Sequence, residues 1–253
     1  TVAVLLFLIA YIVVMGVPNL KPSLFSLEYN SENASLFPAL INTVLMTLLS
    51  LIVAVPIGIF SAIYLVEYAR RGNRLVKVVR VTAETLSGIP SIVYGLFGFL
   101  FFGVSFGWGY SMLGGALTMA IMILPLIMRT TEEALMSVPD SFREGSFGLG
   151  AGKLRTVFQI ILPSAMPGIL SGVILGIGRI VGETAALMFT SGTVAKVALN
   201  PMSSGRTLAV HMYNLLNEGL AREAAYATAV VLLLLVVAIN ALSSFVAKKF
   251  SKI

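Results

Sequence analysis

From Pro38 to Val66 the chain carries no charged side chain. A helical crossing of a bilayer needs about 20 predominantly apolar residues, so this run is longer than a membrane requires and is expected to tilt or to extend into water. Further apolar runs occupy residues 1–17, 84–106, 111–129, 163–190 and 224–246. Composition agrees: 58% of the 253 residues are hydrophobic and only 11% are charged, against roughly 25% charged in ordinary soluble domains. Mean hydropathy is +0.97. So few charges could not cover a soluble core of this size, and lipid is the solvent for most of the chain. The expectation is an all-α integral membrane protein, a six-span helical bundle forming a single transmembrane domain over residues 1–253.

The first run, Thr1–Val17, begins inside apolar sequence. It has no basic flank before it and no small-residue cleavage site after it. It reads as the remainder of a first span, with preceding residues outside this sequence, and not as a signal peptide. Cysteine is absent, which removes disulfides, thiolate metal sites and cysteine nucleophiles. The net charge of +6 matters here for orientation, not for nucleic acid. One set of loops and the tail hold Arg70, Arg71, Arg74, Lys77, Arg80, Arg129, Arg143, Lys153, Arg155, Lys248, Lys249 and Lys252; the opposite loops hold Lys21, Lys196, Arg206 and Arg222. Basic residues concentrate on the cytoplasmic side, which puts both termini and the 130–162 loop inside. Loops 18–37 and 191–223 are expected as surface loops outside, where a delivery protein could dock.

The 130–162 loop is built as a helix–turn–helix. Asp140 or Ser141 can serve as N-cap with Glu144 in the first turn. Gly150 and Gly152 can stop the helix and reverse the chain, and Lys153–Ile161 can form a second short helix ending before Pro163. Such a loop is either a plain amphipathic connector or a rigid knob that transmits force to a partner. The sequence Glu144-Gly145-Ser146-x3-Gly150-x9-Ile160-x-Leu162-Pro163 resembles the coupling-loop signature of binding-protein-dependent importer permeases, with small residues Gly145 and Ser146 standing where that family has alanines. The chain has no Gly-x4-Gly-Lys-Ser/Thr run of its own, so nothing in it cradles ATP phosphates. No nucleophile–base arrangement is visible, and the chain is not expected to be an enzyme by itself or to hold a cofactor.

The fifth run carries two charges, Arg179 and Glu183. Four residues apart on a helix, they share a face and can pair. Each costs about 2.5–3.5 kcal/mol at a bilayer centre on insertion scales, so they either line a polar pathway or lock helix packing. A guanidinium suits a tetrahedral oxyanion; Glu183 can hold it in position and Thr184 can add a hydroxyl. Ser87, Ser91 and Tyr94 lie at spacings of four and three, equally able to line the path or to bond back to their own helix. Glu84 is expected at an interface, capping a helix or pairing with Arg80, while Glu132 and Glu133 are expected to cap and solvate the following loop. Trp108 and Tyr110 sit at a span end as interfacial anchors do. The lone His211, in an external loop with no second His or clustered carboxylate, makes no metal site.

Leu124-Pro125, Arg129–Leu135, Val138-Pro139, the coupling loop, Gly178-Arg179-x2-Gly182-Glu183-Thr184-Ala185 and Leu86–Phe97 together resemble the phosphate-specific importer permeases over about residues 80–190. The resemblance is to the A-type member of the permease pair, except that Ala186 stands where that branch usually has proline. It implies the type I ABC importer permease (MetI-like) fold with a cytoplasmic coupling helix. It also implies a homologous C-type permease, a dimer of ABC ATPase subunits and an extracytoplasmic phosphate-binding protein as partners, in a prokaryotic inner membrane. On this reading Arg179, Glu183 and Thr184 belong to the translocation pathway, and Glu144, Gly145, Ser146, Gly150, Ile160, Leu162 and Pro163 to the ATPase-coupling loop. Phosphate would cross by alternating access. An importer for molybdate, tungstate or sulfate, a carrier driven by an ion gradient, and a phosphate-sensing scaffold that does not transport are the other readings.

Overall fold

The computed structural model describes residues 2–70, 72–217, 219 and 221–250; of Ser243 and residues 246–250 it describes the backbone alone. Arg71, Lys252 and the side chains of Lys248 and Lys249, which contribute to the orientation argument, lie outside the described residues. Among those residues the chain is helical throughout, with turns between. The helices are α1 (Val2–Gly16), α2 (Phe37–Ile63, prolonged by a π-helical turn Tyr64–Tyr68), α3 (Arg74–Ser87), α4 (Ser91–Gly98, prolonged by a π turn Phe99–Ser105) and α5 (Met112–Met136). They continue with α6 (Asp140–Gly148), α7 (Lys153–Thr156), α8 (Leu162–Gly182), α9 (Ala185–Thr190), α10 (Leu208–Asn217) and α11 (Arg222–Phe250). Val2–Asn19, Phe37–Tyr68, Met112–Met136, Lys153–Gly182 and Arg222–Leu242 are each long and apolar enough to cross a membrane, and the broken pair Arg74–Ser87 and Ser91–Ser105 makes a sixth when taken as one span.

Several boundaries differ from the sequence expectation, each for a local reason. The third apolar run does not start at residue 84. Residues 84–87 end the separate helix α3, because Pro90 lacks an N–H and disfavours helical backbone at Ile89. The fifth run is not one helix to 190; it stops at Gly182 and restarts at Ala185. Residues 130–136 belong to α5, so the loop is shorter than 130–162. No helix ends before Pro163: Val157–Ile161 forms a π turn that runs directly into α8. A wider turn is one way a helix absorbs the hydrogen bond and the space that proline takes away. Within the expected loop 191–223, residues 208–217 are helical.

The chain divides into two compact units. The first comprises residues 1–50, 90–119 and 179–238. Its core includes Leu24, Leu36, Leu208, Leu215 and Ala227. Asn42 ties the 194–207 segment onto α2: its Nδ2 donates to the carbonyls of Lys196 (2.8 Å) and Arg206 (3.1 Å), and its Oδ1 accepts from the Ala198 N–H (2.9 Å). Thr43 Oγ1 accepts from the Leu208 N–H at 2.9 Å, which starts α10. Arg206 and His211 are therefore buried, contrary to the expectation of a surface loop. In the same unit α4 lies against α9 at backbone distance. A Cβ on Gly95 would sit 2.7 Å from Ala186 Cα, closer than any side chain tolerates.

The second unit comprises residues 51–89, 120–178 and 239–253. Its core includes Ile63, Leu65, Leu135, Val138, Val157 and Ile161. Arg143 of α6 fastens this unit. Its Nε and Nη2 both donate to Glu67 Oε1 (3.1 and 2.7 Å), its Nη1 to Asp140 Oδ1 (3.1 Å) and the Val138 carbonyl (2.8 Å), and its Nη2 also to the Leu135 carbonyl (3.0 Å). Glu67 is itself largely buried. The guanidinium thus neutralises a buried carboxylate and satisfies carbonyls that the end of α5 leaves without helical partners. Glu132 does not solvate the loop; it is buried in α5 and pairs with Arg80 at 3.3 Å, which leaves Arg80 committed there and not to Glu84. Glu133 pairs with Arg129 at 3.1 Å along one face of α5.

Two stability predictions follow from these contacts. Gly95→Ala should cost about 1–3 kcal/mol by overpacking against backbone, whereas Gly145→Ala, where nothing lies within 4 Å of the added methyl, should be neutral or slightly stabilising. Melting temperatures in detergent compare the two, and equal effects would contradict the assigned contact. Arg143→Leu should cost about 3–5 kcal/mol by leaving Glu67 buried and unpaired, and adding Glu67→Gln should restore part of the loss. Amide exchange across α6 reports the loosening, and wild-type protection in Arg143→Leu would contradict the clamp.

Candidate functional site

The hairpin of α6 and α7 has a defined geometry. Pro139, not Asp140 or Ser141, occupies the N-cap position, without a side-chain cap bond, and Asp140 is the acidic residue of the first turn. Proline supplies the extended backbone there, and the Asp140 carboxylate turns to Arg143. Glu144 lies beyond the first turn and is exposed. The helix ends in a Schellman motif: the Ala151 N–H donates to the Ser146 carbonyl (3.1 Å) and the Gly150 N–H to the Phe147 carbonyl (2.9 Å). Gly150 has φ +80°, backbone that costs a residue with a Cβ roughly 1–2 kcal/mol. Gly152 caps α7. Across the hairpin the buried hydroxyls of Ser146 and Thr156 are 2.8 Å apart, so the serine standing in place of alanine forms a cross-link between the two arms.

The hairpin has an inner and an outer face. Ile160 and Leu162 pack against the unit's core, next to buried Val157 and Ile161, while Pro163 is exposed. Outward stand Phe142, Phe147, Leu154 and Leu149, the last 91% exposed. Bare apolar side chains on a rigid, polar-capped knob are what a partner groove takes up. Lys153 sits over the Tyr68 ring at 5.1 Å. A cleft of about 770 Å³ beside α6 is lined by Glu67, Arg70, Arg74, Lys77, Arg80 and Arg143. The clamp residues Arg143 and Glu67 were not among the expected functional residues. Their only sequence signals are a lone carboxylate closing a long apolar run and a cation immediately before the motif.

The intramembrane charges are arranged differently from the expected pair. Because α8 ends at Gly182, Arg179 and Glu183 do not share a continuous helical face, and no ion pair within 4 Å joins them. Glu183 instead accepts a hydrogen bond from the Ala186 N–H (3.2 Å), capping the restarted helix α9. Thr184 sits at the break with φ −120° and ψ −58° and makes no cap bond of its own. Arg179 is half-buried and acts electrostatically on the Tyr94 hydroxyl. Tyr94 is buried beside Gly95, where α4 meets α9. Arg179, Glu183, Thr184 and Tyr94 thus gather around one helix break. Ser91 opens α4 and is half-buried. Ser87 belongs to the other unit, at the end of α3, and its hydroxyl donates to the Glu84 carbonyl at 2.7 Å. No group of three or more potential metal ligands occurs among the described residues.

Comparison with known proteins agrees with this architecture. The chain is 35% identical over 237 residues to the probable ABC transporter permease protein YqgI of Bacillus subtilis (strain 168), covering 88% of this chain and 80% of that one. It is 41% identical over 183 residues to the phosphate transport system permease protein PstA of Pasteurella multocida (strain Pm70), covering 71% and 64%. It is 40% identical over 156 residues to PstA 1 of Mycobacterium tuberculosis (strain ATCC 25618 / H37Rv), covering 62% and 50%. The alignments therefore span only about half to two-thirds of those phosphate permeases. In fold, the chain superposes on an inward-facing MetNI methionine ABC transporter chain with TM-score 0.67 at 19% identity, over 85% of this chain and 94% of that one. It also superposes on a chain of a bacterial alginate ABC transporter solved with its alginate-bound periplasmic protein, with TM-score 0.67 at 16% identity, over 86% and 80%. Residues 54–252 match the binding-protein-dependent transport system inner membrane components, and the chain belongs to that family: it is a multi-pass, all-α permease subunit of an ABC importer.

Proposed function

We propose that this chain carries inorganic phosphate across the prokaryotic inner membrane, as the A-type permease of a heteromeric, ATP-driven importer. The observation that carries the ATP-driven part is the hairpin. It is rigidified by the Gly150 turn, the Ser146–Thr156 bond and the Arg143 clamp, and it presents Phe142, Phe147, Leu149 and Leu154 outward. On this reading Glu144, Gly145, Ser146, Gly150, Ile160, Leu162 and Pro163 form the coupling loop of a single permease domain, residues 1–253, and a dimer of separate ATPase subunits holds the outer face of the hairpin. The hairpin and both chain ends face the cytoplasm, in line with the basic loops around it. A C-type permease completes the pathway, and an extracytoplasmic binding protein delivers the anion. When ATP closes the ATPase dimer the hairpin moves with it, and the permease pair opens outward; hydrolysis reverses the motion.

Phosphate is supported by relatives at about 40% identity that are phosphate transport system permeases. Arg179 is the cation that supports an anion pathway, with Glu183 and Thr184 shaping the break next to it and Tyr94 and Ser91 on the facing helix α4. Another tetrahedral oxyanion is the second reading, because the relative covering 88% of this chain has no substrate in its name.

The test is substrate-stimulated ATP hydrolysis and uptake in proteoliposomes holding this chain with its neighbouring permease, ATPase and binding protein. Phosphate should stimulate both, and sulfate and molybdate should not. Gly150→Asp, which strains the αL turn, should separate hydrolysis from uptake, and Arg179→Gln should lower uptake at least ten-fold while the complex still assembles. Stimulation by sulfate or molybdate alone would replace the substrate. Phosphate uptake that follows an ion gradient without ATP would overturn the mechanism.

A further inference from the structure

Arg206, at the threshold of α10, is only 4% exposed, and its Nε and Nη2 make no hydrogen bond. No carboxylate pairs with it among the described residues. Its backbone is held on both sides, the N–H donating to the Val194 carbonyl (3.0 Å) and the carbonyl accepting from Asn42. The guanidinium lies 4.3 Å over the Tyr29 ring. Stacking uses the face of the guanidinium and leaves its N–H edge available. Next to it Thr207, 1% exposed, has an unpartnered hydroxyl. One helical turn on, His211 is fully buried, and neither ring nitrogen has a partner of good geometry. Its ring stands edge-on to the same Tyr29, with centroids 6.0 Å apart and planes at 87°.

These groups share one chemistry. Burial first, and then the Arg206 charge, push the His211 pKa down to about 3, against a weaker upward pull from the Ala34 backbone. The imidazole is therefore neutral near pH 7, with its one N–H turned toward the Ala34 backbone. With the guanidinium N–H groups, the Thr207 hydroxyl and the first turn of α10, which favours negative charge, the cluster is rich in donors and, among the described residues, carries one positive charge with no carboxylate paired to it. A buried guanidinium without a counter-charge is costly, and a cation ligand would be repelled. We propose that Arg206, Thr207 and His211 form a binding site for a small tetrahedral oxyanion, with Tyr29 as its lid. Tyr29 is the one partly exposed member; it lies under Arg206 and edge-on to His211, so displacing it from the 20–36 segment uncovers both. The site uses none of the residues gathered around Arg179. Its existence does not require that phosphate be the transported species.

The experiment is equilibrium binding of radiolabelled inorganic phosphate, and of sulfate in a parallel arm. It uses the detergent-purified complex of this chain with its neighbouring permease and ATPase, without binding protein. Saturable binding is expected, weakened at least ten-fold by Arg206→Gln and several-fold by Thr207→Val, and unchanged in Arg129→Gln. If Arg206→Gln does not assemble on size exclusion, Thr207→Val, which keeps the side-chain shape, decides the matter. Sulfate binding that depends on Arg206 and Thr207 without phosphate binding keeps the oxyanion site and removes phosphate as its ligand. Absence of saturable anion binding, or binding indifferent to both substitutions, overturns the site; phosphate-driven uptake would then still stand on its own evidence.

Discussion

Inside a bilayer the backbone must satisfy its own hydrogen bonds, because no water is present to do it. The break between α8 and α9 sits where that rule is strained. Long helices cover the spans, and their prolines at 56, 125 and 167 are carried within them. Where α8 stops inside an apolar run, a side chain takes over a freed group. Glu183 accepts from the Ala186 N–H at the α8–α9 break. A carboxylate that pairs with a peptide N–H is partly neutralised by the helix start it caps, and Glu183 makes no salt bridge to Arg179. On the proposed function, an anion pathway needs a cation that is present but not quenched, and the break at Gly182 leaves Arg179 in that condition.

Arg143, Arg179 and Arg206 show how one residue type serves opposite ends in the same chain. Arg143 is saturated, with carboxylates and carbonyls filling its donors, and it acts as a mechanical fastening between α6 and the ends of α2 and α5. Arg179 is half-buried beside a buried tyrosine, with no carboxylate among the described residues close enough to lock it. Arg206 is buried on an aromatic face with donors unspent. Burial alone does not separate these roles; what each guanidinium is bonded to does.

The spans and the hairpin were legible in the sequence because their signals are periodic or sequence-local. Apolar length marks a span, and the Glu144 to Pro163 spacing marks the hairpin, whose Gly150 turn has the positive φ expected of it. What escaped depends on partners distant in sequence or on small breaks. Spacing of four made Arg179 and Glu183 look paired, but the pairing requires a helix that ends between them. Ser87, Ser91 and Tyr94 looked like one face, yet Pro90 divides them. Arg143 and Glu67 meet across 76 positions, and neither carries a local sign of the other. The polar character of residues 191–207 hid the burial of Arg206 and His211, which Asn42 and Thr43 of α2 impose by binding that segment's backbone.

On the proposed function, the α6–α7 hairpin is where an ATPase subunit grips this permease. The chain has no cysteine, so Leu149→Cys, at the most exposed apolar position of the hairpin, introduces a single thiol. Site-directed cross-linking of that variant to the co-expressed ATPase tests the claim directly. A specific cross-link to the ATPase, lost when the ATPase is omitted and blocked by prior maleimide labelling, is the predicted result. Full maleimide labelling of Leu149→Cys in the assembled complex, with no ATPase cross-link, would contradict it.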